Sequence, residues 1–321
     1  MKPREPHFAF FSSHFRGCHP SFMTASRDLI TNLLNSTQCL GRATTIGTSD
    51  NPIGFFRFVH SRRPAIPGPS LIRTEAWQVM DIAKGRILIV GGGSGMGLAL
   101  ARRCLGAGAE VIIAGRSEAK LKQAREDLGQ ASSLETVAVD IAREEQVADL
   151  FRRTGPLDHI VSTAADIEGA YELLPAIDLK AAQRVMDSKV YGPLLLAKYG
   201  APMLPAWGSI TFTSGIAAYR PSARGSVVAA VNAALEGLVR ALAVELAPIR
   251  VNAVSPGWVD TPIWAHVAGD EKEERLSAMA KRLPVGRVGR PDDIADAIGF
   301  MMGNGFTTGT ILHVEGGHRL I

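Results

Sequence analysis

From about Asp81 to the C-terminus, short apolar runs alternate with longer segments in which apolar residues recur every three or four positions. The runs at 86–90, 110–114, 135–139, 158–162, 208–213, 249–254 and 310–314 predict strands. The segments near 95–107, 117–128, 143–153, 178–203, 224–247 and 291–302 predict helices. Ile87-Leu88-Ile89-Val90 is apolar at every position and not at every second one. Such a strand is covered on both faces. The alternation therefore predicts an α/β fold for 80–321: a single domain with a Rossmann-like, doubly wound parallel sheet. Ligands of such sheets bind beyond the carboxyl ends of the strands, where the strand order reverses.

Residues 1–79 lack this periodicity and are rich in Ser, Thr, Pro, Phe and Arg, which predicts a disordered N-terminal extension. They carry nine Lys/Arg against four Asp/Glu, a net of +5, whereas the remainder carries 26 against 27, a net of −1. The excess basic charge thus belongs to the extension, and no nucleic-acid partner is expected for the main domain. The extension reads either as a tail without a role on a cytoplasmic protein or as an organelle-targeting segment. The second reading has to accommodate Pro3, Pro6 and Pro20, which interrupt any early amphipathic helix. No run of apolar residues suggests a membrane span. Cys18, Cys39 and Cys104 form neither a disulfide framework nor a metal-ligand spacing, so no metal site is expected.

The first strand ends in Gly91-Gly92-Gly93-Ser94-Gly95-Met96-Gly97, and a helix follows. Glycines let a phosphate approach the backbone, and the free N–H groups of the helix start then point at it. A glycine-rich turn alone is weak evidence, but its place between strand and helix is the context that a dinucleotide site requires. Gly91, Gly93, Ser94, Gly95, Met96 and Gly97 are therefore candidate cofactor residues. The second strand ends in Gly115-Arg116-Ser117, with no acid to bind the ribose hydroxyls of NAD. Arg116 and Ser117 offer a guanidinium and a hydroxyl, which suit a 2′-phosphate, so NADP(H) is expected over NAD(H). The third strand ends in Asp140-Ile141. Asp140 reads as an acceptor for the adenine amino group or as a cap of the next helix.

Together these residues resemble the classical short-chain dehydrogenase/reductase family. Gly91, Gly95 and Gly97 match its TGxxxGxG turn, with Val90 in place of the threonine. Asp140 matches its adenine-contacting aspartate, and 249–257 matches its sixth strand and Pro-Gly turn. Thr261 stands where the family's threonine contacts the nicotinamide end, and 284–291 and 308–317 resemble the C-terminal signature. The resemblance adds Ala164, Pro256, Gly257 and Thr261 to the expected cofactor contacts. It also implies a homodimer or homotetramer formed through the helices at 178–203 and 224–247.

The family's catalytic tetrad is Asn-Ser-Tyr-Lys, and here only the serine, Ser214, is in place. Val228 stands for the tyrosine, Asn232 for the lysine, and Lys189 for the asparagine. Lysine and asparagine have thus exchanged positions, which suggests that the Lys189 ammonium enters the vacated site from another helix. Tyr219 and Lys189 are the candidate proton donors, beside a water held by Ser214. Trp258, Ile263 and Trp264 flank Thr261 and read either as an apolar substrate wall or as lid packing. The function expected from the resemblance is an NADP(H)-dependent oxidoreductase acting on a small carbonyl/alcohol pair. The alternative is a catalytically inactive NADP(H)-binding pseudoenzyme with a sensing or subunit role.

Overall fold

The computed structural model describes residues 84–321, and every structural statement below concerns these. They fall in the second of two compact units of the chain, Ala65–Ile321. The expected extension, and its boundary with the main domain near residue 80, lie outside the described residues.

Seven strands form one parallel sheet: β1 (Arg86–Val90), β2 (Glu110–Gly115), β3 (Leu134–Ala138), β4 (His159–Ser162), β5 (Ser209–Thr213), β6 (Arg250–Pro256) and β7 (Ile311–Val314). Their order is β3-β2-β1-β4-β5-β6-β7. The order reverses between β1 and β4, which pair from Ile87↔His159 to Val90↔Ser162. The helices are α1 (Gly95–Gly106), α2 (Glu118–Asp127), α3 (Glu144–Thr154), α4 (Leu179–Met186), α5 (Gly192–Gly200), α6 (Ser226–Glu245), α7 (Trp264–Ala268), α8 (Lys272–Arg282) and α9 (Pro291–Gly303).

Side chains alternate sides along each strand, so each face of the sheet builds its own core. Ile87, Ile89, Val111 and Ile113 pack with Leu100 and Cys104 of α1 and Ile294, Ile298 and Met301 of α9. Leu88, Val90 and Ile112 pack on the other face with Phe151 of α3, Leu196 of α5 and Leu235 and Val239 of α6. Fully buried side chains of this size contribute about 1.5–3 kcal/mol each relative to exposure.

Two details depart from the sequence expectation. The helix expected over 178–203 is interrupted between α4 and α5 by a π turn, Asp187–Tyr191, and Ala201–Met203 is a 3₁₀ turn. Pro193 removes one amide donor from the helical ladder just past the π turn. Second, α6 is long and apolar enough to cross a membrane by length and composition, with a mean hydropathy of 1.7. Its buried face lies against the sheet and carries two polar side chains, Asn232 and Glu236. That placement is the one expected of a core helix.

Candidate active site

A cleft of about 760 Å³ opens at the carboxyl ends of β1, β2, β3 and β4. Gly91, Gly93, Ser94, Gly95 and Met96 form one wall. Gly91 and Gly95 hold φ of +85° and +53°, a region that side chains disfavour. Gly97 lies beneath the turn and does not line the cleft. A Cβ there would stand 2.3 Å from the Gly91 carbonyl oxygen and 2.7 Å from Thr163 Oγ1, so its place is dictated by packing. Ser94 caps α1 without a side-chain hydrogen bond, and the first turn carries no acidic residue. The helix start therefore presents backbone N–H groups and positive dipole to the cleft with no built-in anion. This turn fits a dinucleotide pyrophosphate.

Arg116 and Ser117 line the same cleft, as do Asp140, Ile141, Ala164 and Thr261. Ser117 also caps α2, accepting a hydrogen bond from the Lys120 N–H at 3.3 Å, which leaves its O–H free to donate. Asp140 Oδ1 accepts from the Ala142 N–H at 3.0 Å, so the residue shapes the turn into α3 as well as facing the cleft. Arg116 is not isolated. Its guanidinium lies 2.6 Å from Asp166, which reaches across from the segment after β4. Asp166 is held in turn by the Ser188 hydroxyl, which accepts from its backbone N–H at 3.0 Å.

Pro256 and Gly257 do not line the cleft. Pro256 pairs with Val314 at the end of β6. Gly257 is pressed against the chain after β7, where a Cβ would meet Glu315 Cα at 2.7 Å. Of the three apolar residues beside Thr261, only Ile263 faces the cleft. Trp258 and Trp264 pack on each other at 4.6 Å, and Trp264 donates to the Val259 carbonyl at 2.8 Å. The two tryptophans thus pack within their own segment and not in the cleft lining.

None of the four candidate catalytic residues lines the cleft. Ser214, Asn232 and Lys189 are all buried. Lys189 lies in the π turn and donates to the Thr213 carbonyl, and burial pushes its ammonium down to about 8. The Asn232 carbonyl accepts from Ser214 Oγ at 3.5 Å. The Asn232 amide nitrogen sits over Gly215, where a Cβ would be 2.8 Å away, and among the described residues its Oδ1 has no hydrogen-bond partner. Lys189 and Asn232 thus converge on one stretch, Thr213–Gly215, from the π turn and from α6. Val228 is buried and packs with Ala170, Val185 and Val231. Tyr219 is half-exposed, and its hydroxyl donates to Glu236 Oε2 at 2.5 Å. Burial and the Glu236 carboxylate both raise the Tyr219 phenol above its ordinary value.

Sequence reasoning missed Asp166 and Glu236. Glu236 accepts from Ser214 Oγ at 2.6 Å and from Tyr219 at once. It stands four residues after Asn232, on the same helical face, and that spacing was the available signal.

A parallel sheet with a glycine turn at its reversal point and an uncapped helix start defines a dinucleotide-binding α/β domain of the oxidoreductase class. Residues 91–319 match the family model described as enoyl-(acyl carrier protein) reductase. The chain is 35% identical over 260 residues to the short-chain dehydrogenase/reductase malC of Malbranchea aurantiaca, covering 75% of this chain and 97% of that protein. The solved structure of the MalC reductase/Diels-Alderase from the same organism superposes with a TM-score of 0.70 at 33% identity, covering 75% and 99% of the two chains. A small-chain dehydrogenase solved in complex with NADPH superposes with a TM-score of 0.65 at 34% identity, covering 74% and 100%. The chain belongs to the short-chain dehydrogenase/reductase family.

Proposed function

We propose that this protein is an NADP(H)-dependent oxidoreductase acting on a carbonyl/alcohol pair, with Val228 and Asn232 in the places of the family's Tyr and Lys. The observation that carries this reading is the wall of the cleft at the end of β2. There a guanidinium and a hydroxyl, Arg116 and Ser117, stand where an NAD-preferring site has a carboxylate. The solved NADPH complex among the structural relatives supports the same choice. The bound nicotinamide would supply hydride. The glycine turn would hold the pyrophosphate, Arg116 the 2′-phosphate, and Asp140 the adenine. Thr261 and Ile263 would border the nicotinamide end. Ser214, at the end of β5, would polarise the substrate oxygen. Lys189 fixes the Thr213 carbonyl just before Ser214, and its ammonium adds positive potential there.

Calorimetric titration of the full chain with NADPH and with NADH tests the cofactor choice. Binding of NADPH that is tighter by about tenfold or more is expected from one phosphate–guanidinium contact. Equal affinities would refute it.

A second reading rests on Val228. Its apolar contacts fill the position of the family's proton donor, which favours a pseudoenzyme that binds NADP(H) without turnover. Turnover assays of natural and repaired chains separate the two. We further propose a homo-oligomer built on α4–α6, whose outer faces expose Leu179, Met186, Leu194 and Val244, and a cytoplasmic location.

A further inference from the structure

One buried titratable side chain beside β5 has no counterpart in the family's tetrad. Glu236 is 4% exposed. Among the described residues its hydrogen bonds come from hydroxyls alone, Ser214 Oγ at 2.6 Å and Tyr219 at 2.5 Å. A carboxylate at such depth requires donors, and these two supply them. The arrangement has a consequence for Ser214. While Glu236 is ionised it accepts from both hydroxyls, and Ser214 has no hydrogen left for a substrate oxygen. When Glu236 is protonated, its O–H donates to Ser214 Oγ and the serine hydrogen is released. Tyr219 is 43% exposed and rests edge-on against His313 with ring centroids 4.5 Å apart. It joins the buried carboxyl to solvent.

We propose that Glu236 carries the proton that the missing tyrosine would have supplied, delivering it through Ser214 and regaining it through Tyr219. The proposal rests on the oxidoreductase reading. In the reductive direction the substrate carbonyl carbon accepts hydride, with its electron pair, from a reduced nicotinamide. The C=O π pair moves to oxygen. That oxygen takes the Ser214 hydroxyl proton, and the serine oxygen takes the carboxyl proton of Glu236. The carboxylate then takes a proton from Tyr219, whose oxygen is reprotonated by water. Glu236 acts through Ser214 and is a positioning residue. Tyr219 and His313 on β7 both feel the Glu236 carboxylate; Arg240 and Arg319 also act on Tyr219, and Arg319 and Glu315 on His313. Lys189 donates to the Thr213 carbonyl at the end of β5.

The test uses the full chain and NADPH oxidation against a panel of ketones, aldehydes and quinones. Glu236→Gln is expected to lower kcat by about a hundredfold, the size of a lost acid–base contribution. KM and NADPH affinity stay unchanged. Glu236→Asp restores part of the rate. Tyr219→Phe slows turnover and alters the pH profile with the fold intact, and it carries the test if Glu236→Gln does not fold. A wild-type rate in Glu236→Gln, or a wild-type rate and pH profile in Tyr219→Phe where that variant carries the test, overturns the proposal. If the natural chain reduces nothing in the panel, the oxidoreductase reading fails separately. The bond itself is then read by phenolate absorbance, with Tyr219→Phe as the blank. Easier ionisation of Tyr219 in Glu236→Gln supports the linkage, since the Glu236 carboxylate is one of the groups that raise the phenol. An unchanged midpoint overturns it.

Discussion

Lys189 allows a quantitative test of how a charged side chain is buried beside Thr213. Its side chain is buried, and its ammonium is held at about 8 against an ordinary 10.5 because burial removes water from the charged form. The unfolded chain keeps the ordinary value. Below pH 8 the lysine is charged in both states and the native state bears the full desolvation cost. Between pH 8 and 10.5 the unfolded state binds more protons, so stability attributable to Lys189 rises with pH. Above 10.5 it is neutral in both states and the cost is gone. At about 1.4 kcal/mol for each tenfold in proton affinity, the cost is about 3 kcal/mol. Lys189→Met keeps the chain length and removes the charge. Loss of the bond to the Thr213 carbonyl changes the level of stability but not its dependence on pH. Urea unfolding of both proteins, followed by tryptophan fluorescence from pH 7 to 10.5, should show wild type gaining about 3 kcal/mol on the variant across pH 8–10.5. A difference that stays flat would mean that the ammonium is solvated, and the burial argument would fail.

Other consequences follow from the same geometry. Arg116→Ala should weaken NADPH binding by about tenfold to a hundredfold and leave NADH nearly unaffected, since only the 2′-phosphate loses a charged partner. Asp166→Asn frees Arg116 from a half-exposed ion pair and should tighten NADPH by up to about fivefold; calorimetry reads both. Gly97→Ala places a methyl 2.3 Å from the Gly91 carbonyl oxygen, so dinucleotide binding should be lost, with destabilisation of about 1–3 kcal/mol by urea unfolding. His159 is held neutral by burial, at about 4 against 6.5. The native state resists charging it, so stability should fall as pH drops from 6.5 to 4, and His159→Phe should flatten that limb in acid unfolding.

Much of this was legible before any coordinates. β1, β4, β5 and β6 were readable because they are buried on both faces, and β1 and β5 fall within a residue of the expected runs. The glycine turn was readable because its spacing serves a backbone geometry. Arg116 and Ser117 were readable because they follow a strand end at a fixed distance. The π turn was not, because Lys189 sits in an unbroken helical pattern and the change of winding depends on Pro193 and on packing against α6. Helices α7 and α8 were missed because the segment after Thr261 carried no strong periodicity. The Arg116–Asp166 pair joins residues 50 apart and the Ser214–Glu236–Tyr219 bridge joins three segments. Only the fold brings such side chains together. Pro256 and Gly257 were placed at the cofactor by resemblance, yet local packing at β7 holds them away from the cleft lining.

The central claim is that the rearranged site still transfers hydride. NADPH oxidation by the full chain, measured against ketones, aldehydes and quinones, tests it most directly. The variant Lys189→Asn, Val228→Tyr, Asn232→Lys, which puts the family's residue types at the proposed tetrad positions, is measured beside it. Turnover by the natural chain is the predicted result. Silence from the natural chain with turnover by the restored variant would contradict the claim and leave a nucleotide-binding pseudoenzyme.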